Sequence, residues 1–155
     1  MTTTILPPFY AFFFTYFDPL ISLSGAITDF IAPNFVVNSL VPASHLHTPS
    51  LHLHYNFIFQ QAGGSMLAVS FLSGVLLRSS TDLKVWKHVQ TAILLIDLAT
   101  LYSAWDALRL QDRLEFRTWR GEDWGTVGLT AFVTVLRVAF LAEVGFRRGR
   151  GKKAN

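Results

Sequence analysis

Residues 86–108 read WKHVQTAILLIDLATLYSAWDAL, a nearly continuous apolar run with Asp97 near its middle and Asp106 close to its far end. At about 1.5 Å of rise per residue, a helix of this length crosses the roughly 30 Å hydrocarbon core of a bilayer. Three further blocks have the same character: Pro8–Ile31, Phe57–Leu77 and Gly125–Phe146. With 51% hydrophobic and only 15% charged residues, the 155-residue chain has too little polar surface for an ordinary soluble domain. The sequence therefore predicts an all-α fold: an integral membrane four-helix bundle, one domain over 1–155, with spans at about 8–31, 57–77, 86–108 and 125–146.

Two other blocks also carry a charge at depth, Asp18 in the first and Arg137 in the fourth. Each such group costs roughly 2.5–3.5 kcal/mol at the centre of a membrane helix, so it turns inward and seeks a partner. Counted from one membrane face, Asp18, Asp97 and Arg137 all fall about 13–16 Å deep. They occupy one layer and can meet inside the bundle. Two acids against one base leave one carboxyl with less compensation. Such a group, held protonated in an apolar pocket, can donate a proton to an alkene, epoxide or carbonyl of a lipophilic substrate. The competing reading is that the three charges only lock the helices together. Conduction of protons or ions is a third; four spans without inverted repeats would need a homo- or hetero-oligomer for it.

Asp18, Asp97 and Arg137 are thus the candidate catalytic residues. Thr134 shares a helical stripe with Arg137 and Thr130, and Glu143 lies further along the same block. Tyr102 and Trp105 read first as interfacial belt residues. Together with Thr134 and Glu143 they are also the candidates for contacting a bound molecule.

Pro7-Pro8 leads into an aromatic run, Phe9 to Phe17, expected to face lipid at one interface. Asp18-Pro19 is expected to interrupt helix one and to free a backbone carbonyl near the Asp18 carboxylate. Gly63, Gly64, Ala68, Ser73 and Gly74 form a small-residue side of helix two suited to close helix packing. Pro33 to Asn56 reads as a loop carrying His45, His47, His52 and His54. Paired His-x-His segments can present imidazoles on one face, but this loop lacks an acid to fix their tautomers, so no metal is assigned.

The chain has no cysteine, which excludes disulfides, thiolate nucleophiles and cysteine-ligated clusters. No cofactor is implied. Nothing near Gly63-Gly64 is a phosphate loop, because no Gly-Lys-Ser/Thr follows. The first block lacks a basic leader and is read as a retained helix rather than a cleaved signal.

Arg78, Lys84 and Lys87 and the basic tail 147–155 lie on one side of an even number of spans, eight cations against four at Arg109, Arg113, Arg117 and Arg120. That asymmetry predicts both termini in the cytosol. The tail has no interleaved aromatic residues, so the lipid bilayer and not a nucleic acid is its expected partner. Lys152-Lys153-Ala154-Asn155 matches a Lys-Lys-x-x retrieval signal, which points to the endoplasmic reticulum.

Pro7-Pro8 with its aromatic run, Phe17-Asp18-Pro19, Leu95-Ile96-Asp97, Trp119, Trp124 and Arg137 together resemble a family of short fungal four-span membrane proteins of unassigned function. The resemblance covers nearly the whole chain through short motifs. It implies an internal membrane and, by analogy with small multi-span proteins of secondary metabolism, a cyclase or isomerase acting on terpenoid-like or polyketide-like substrates. The family pattern more often has Glu-Pro at Asp18-Pro19 and a histidine near Thr100, so a relay that needs that histidine is in doubt here. A weaker similarity, to four-helix sterol-isomerase-like membrane proteins, rests on buried acids and aromatics without a specific motif.

Overall fold

The computed structural model describes residues 4–45 and 53–148. Five helices carry the fold: α1 (Pro8–Ile31), the short α2 (Pro33–Leu40), α3 (Asn56–Ser79), α4 (Leu83–Leu110) and α5 (Gly121–Leu141). All but α2 are long and apolar enough to cross a membrane. Thr4–Ile5 pairs antiparallel with Arg147–Arg148, so the two ends of the described chain lie on the same side of the bundle. His47, His52 and the terminal lysines fall outside the described residues. Among the described residues, no group of three or more His, Asp or Glu side chains could hold a metal ion.

Helix α1 starts on Pro8, whose ring presets the first helical φ and whose missing N–H would have had no partner there. The expected interruption at Asp18-Pro19 does not occur. Instead Phe13–Phe17 form a π turn, with the Asp18 N–H on the Phe13 carbonyl, and the helix runs on through Pro19 to Ile31. Pro19 has no N–H for the Thr15 carbonyl four residues back. That carbonyl accepts from Arg78 of α3 instead, from Nε at 3.1 Å and Nη2 at 2.5 Å. The freed backbone group thus binds a guanidinium across the bundle, not the neighbourhood of the Asp18 carboxylate.

The aromatic run divides by helical period. Tyr10, Phe13 and Phe14 turn inward, while Phe9, Phe12, Tyr16 and Phe17 stay exposed. Phe14 meets Phe140 edge-on at 5.4 Å between ring centroids, and Phe140 also contacts Tyr10 and Trp86. This aromatic knot joins α1, α4 and α5. Only part of the run is therefore available to lipid.

Helix α1 packs mainly on α3, and α4 on α5. Pro19 crosses α3 at Gly74, where an added Cβ would sit 3.3 Å from the proline Cβ. At Gly63 the approach is tighter: a Cβ would come within 2.9 Å of the Phe30 ring and 3.1 Å of the Asp29 Cβ. Gly64 faces open space. Gly63→Ala is therefore expected to destabilise the bundle by about 1–3 kcal/mol through overpacking. Gly64→Ala should be neutral or stabilising by up to about 1 kcal/mol, since it only removes backbone freedom. Thermal midpoints of the two purified variants compare the sites directly, and equal behaviour would contradict the close crossing.

The segment expected as a loop from Pro33 to Asn56 contains α2, again begun on a proline and set off from α1 by the non-helical backbone of Ala32. Helix α4 is capped by the Asp82 carboxylate, which accepts from the Lys84 N–H at 2.8 Å. The fourth span also shifts from its expected bounds. It begins at Gly121 because the Asp123 carboxylate turns back to the Arg120 N–H at 2.7 Å. It stops at Leu141 because the chain enters left-handed φ at Glu143 (56°) and Gly145 (80°) before reaching Phe146.

Most large apolar side chains of the long helices point outward, among them Ile31, Phe71, Leu95, Leu98, Leu110 and Val135. So extensive an apolar exterior calls for an apolar surrounding or a partner. The inward faces carry both the aromatic knot and a set of buried polar groups.

Candidate functional site: one ion network on four helices

The inward stripe of α1 advances by three or four residues from Tyr10 through Phe14, Asp18, Ser22 and Ala26 to Asp29, all buried. On α4 the equivalent stripe includes Val89, Gln90, Ile93, Ala104 and Leu108, with Asp97 at its margin. On α5 it is Val133, Thr134, Arg137 and Phe140. The polar members of these stripes converge on Arg137.

Arg137 donates to three side chains on two other helices. Its Nε bonds Asp97 Oδ2 at 2.7 Å. Nη1 reaches Asp18 Oδ2 at 3.1 Å and Gln90 Oε1 at 2.8 Å, and Nη2 reaches Asp18 Oδ1 at 2.8 Å. Asp18 is thus gripped bidentately, the geometry in which a guanidinium holds a carboxylate best. Ser73 of α3 adds a hydroxyl bond to Asp18 Oδ2 at 3.2 Å. The Phe14 ring lies 5.8 Å from the guanidinium carbon. Every long helix contributes to this one network.

The predicted layer is therefore real as geometry, but its pairing differs from the expected pair plus odd acid. One guanidinium serves both carboxylates. The two acids are nonetheless unequal. The side chains of Asp18 and Arg137 are 2% and 3% exposed, whereas that of Asp97 is 13% exposed. Arg137 bonds Asp97 through Oδ2, a single bond where Asp18 receives two.

Sequence reasoning missed Gln90, which lies two helical turns before Asp97 on the same face. Its Oε1 is fixed by Arg137, which commits Nε2 to the other side, where among the described residues it is the buried side-chain donor without a partner. Ser73 was read only as a small packing residue.

The remaining candidates lie elsewhere. Tyr102 and Trp105 stand exposed on the outer face of α4 with ring centroids 5.8 Å apart, and Arg109 lies 5.5 Å over the Trp105 ring. Glu143, beyond the end of α5, forms an ion pair with Lys87 at 2.5 Å. Thr134 is buried one turn before Arg137, but its hydroxyl bonds back to the Thr130 carbonyl at 2.7 Å. The structure thus brings together Asp18, Asp97 and Arg137, with Thr134 adjacent, and leaves Tyr102, Trp105 and Glu143 apart from them.

A second buried cluster was not anticipated. Asp123, fully buried at the start of α5, receives Arg113 Nη2 in a close ion pair, Arg120 Nη2 at 3.2 Å and the Arg120 N–H. Arg120 and Gln111 also donate to the Asn38 and Leu40 carbonyls of α2, at 2.8 and 3.1 Å. Two clefts, of about 450 and 540 Å³, flank Arg78 at the other end of the bundle. Neither is lined by Asp18, Asp97 or Arg137.

The family model described as "Domain of unknown function (DUF7704)" matches residues 3–147, and the chain belongs to that family. No curated protein and no solved structure matches it.

Proposed function

We propose that this member of the family is a four-span membrane protein that takes the polar group of a lipophilic small molecule at Asp97. The observation that carries this reading is the inequality of the two acids: one sealed and doubly held by Arg137, the other singly held and more exposed. In a low-dielectric interior the network sums to zero charge only if one carboxyl carries a proton. Asp18 receives two of the guanidinium bonds and balances it, so the proton belongs on Asp97, with Oδ2 still accepting from Arg137. Oδ1–H is then free of the guanidinium bond to act as a proton or hydrogen-bond donor, which acid-catalysed cyclisation or isomerisation requires.

The positive-inside asymmetry supports both termini in the cytosol. On the opposite side, Arg113 and Arg120 share the Asp123 carboxylate, and Arg109 pairs with Asp106 at 2.8 Å.

Asp97→Asn keeps an acceptor for Arg137 and removes the transferable proton. It is expected to give the metabolite profile of a deletion while the protein accumulates at the parental level. A parental profile would sink the acid role. The second reading, a non-catalytic scaffold or lipid binder, is favoured by the closure of the network across four helices. Under it, Asp97→Asn would lower abundance and any phenotype in proportion.

A further inference from the structure

Arg78 sits at the end of α3, exposed, with the Tyr16 ring 4.0 Å from its guanidinium carbon. The Thr15 carbonyl left open by Pro19 holds Nε and Nη2, which fixes the plane of the guanidinium. Nη1 is not engaged by that carbonyl, and among the described residues no carboxylate pairs with Arg78. The charge is oriented and uncompensated.

From this head a groove of about 450 Å³ descends between α1 and α3, floored where Gly74 lets Pro19 approach and walled by Leu20, Leu23, Leu67, Phe71 and Val75. Arg78 to Leu67 is eleven residues of helix. At about 1.5 Å per residue that is roughly 16 Å, close to half of a bilayer core about 30 Å thick. The groove is one leaflet long, basic at its interfacial end, and bears no carboxylate on its walls.

We propose that this groove binds one anionic glycerophospholipid from the leaflet on the Arg78 side, its phosphate on the Arg78 guanidinium and one acyl chain along α1 and α3. A fixed guanidinium matches phosphate geometrically as well as electrostatically, which sets it apart from the mobile attraction of the nearby Lys84. Pro19 has a part in the site: it supplies the carbonyl vacancy that orients Arg78. The inference rests on the four helices crossing a membrane and is independent of any role for Asp97.

The full chain, reconstituted in bicelles of equal phosphatidylcholine and phosphatidylserine and released into the gas phase for native mass spectrometry, provides the test. Phosphatidylserine should be retained over phosphatidylcholine about fivefold, the weight of one interfacial cation. Arg78→Gln should bring that ratio to near one, and Lys84→Gln should leave it unchanged. Val75→Trp, which fills the groove without touching the guanidinium, should reduce retention of both lipids and decides the question if Arg78→Gln does not fold. No preference in the parent, a preference that survives Arg78→Gln, or one lost with Lys84→Gln would overturn the site. Retention of added oleate equal to that of phosphatidylserine would reassign the head to a free carboxylate and overturn the phospholipid. Release of the protein by alkaline carbonate washing of membranes would instead defeat the spanning arrangement itself.

Discussion

Arg137→Met should cost about 3–5 kcal/mol of stability, because it removes a buried cation and strands its partners. Asp18, 2% exposed, would lose both of its guanidinium bonds and keep only Ser73. Gln90 would lose the partner of its amide oxygen while its Nε2 is already unpaired, and Asp97 would lose its bond on Oδ2. Methionine fills comparable volume, so the loss would reflect uncompensated polarity rather than a cavity. The check is to add Asp18→Asn and Asp97→Asn to Arg137→Met. Those changes remove the stranded charges and should recover a large part of the loss, as replacement of a whole buried ion network often does. Unfolding of the purified chain in detergent, followed by tryptophan fluorescence, supplies the numbers. A single variant as stable as the parent would mean that the network contributes nothing to the fold. Double-mutant cycles should give a larger coupling for Asp18 with Arg137 than for Asp97 with Arg137, in keeping with two bonds to one acid and one bond to the other.

The convergence of Asp18, Asp97 and Arg137 was legible in sequence because depth along a helix follows from residue count alone. Their pairing was not. Counting charges treats arginine as one unit, whereas its forked donors can serve two carboxylates and an amide together. Gln90 and Ser73 escaped notice because neither carries charge, although both lie at helical spacing on inward faces. Tyr102 and Trp105 miss the site for an angular reason: at about 100° per residue they stand about 140° and 80° around α4 from Asp97. Glu143 misses it because α5 ends at Leu141, before the helical stripe can carry it. The aromatic run was readable as a cluster, but which rings turn inward depends on the phase of α1, including the π turn before Pro19. Helix α2 was hidden by its length, too short for hydropathy to separate it from a loop, and by the fact that its anchors, Gln111 and Arg120, come from distant sequence.

That anchoring gives the second large effect. Asp123→Ala should cost roughly 3 kcal/mol, since a fully buried carboxylate holding two arginines would disappear and leave Arg113, 8% exposed, without its anion. The consequence should spread along the chain in a defined direction. Asp123 fixes Arg120 through both backbone and side chain, and Arg120 in turn holds the Asn38 carbonyl at the end of α2. Without the carboxylate, Arg120 keeps only the neutral Asn38 carbonyl and is no longer fixed in place, so Gln111 is left as the steadier of the two anchors of α2. Residues 33–45 should therefore exchange backbone hydrogens faster than in the parent, while the Arg137 layer, on the interior of the same bundle, keeps its protection. Asp123→Asn retains an acceptor for the Arg120 N–H and should lose less than Asp123→Ala. If α2 exchanges at the parental rate in both variants, the clasp does not hold it. Loss of protection at Asp18 and Arg137 as well would show that the two polar clusters act as one cooperative unit rather than as separate locks at different levels of the bundle.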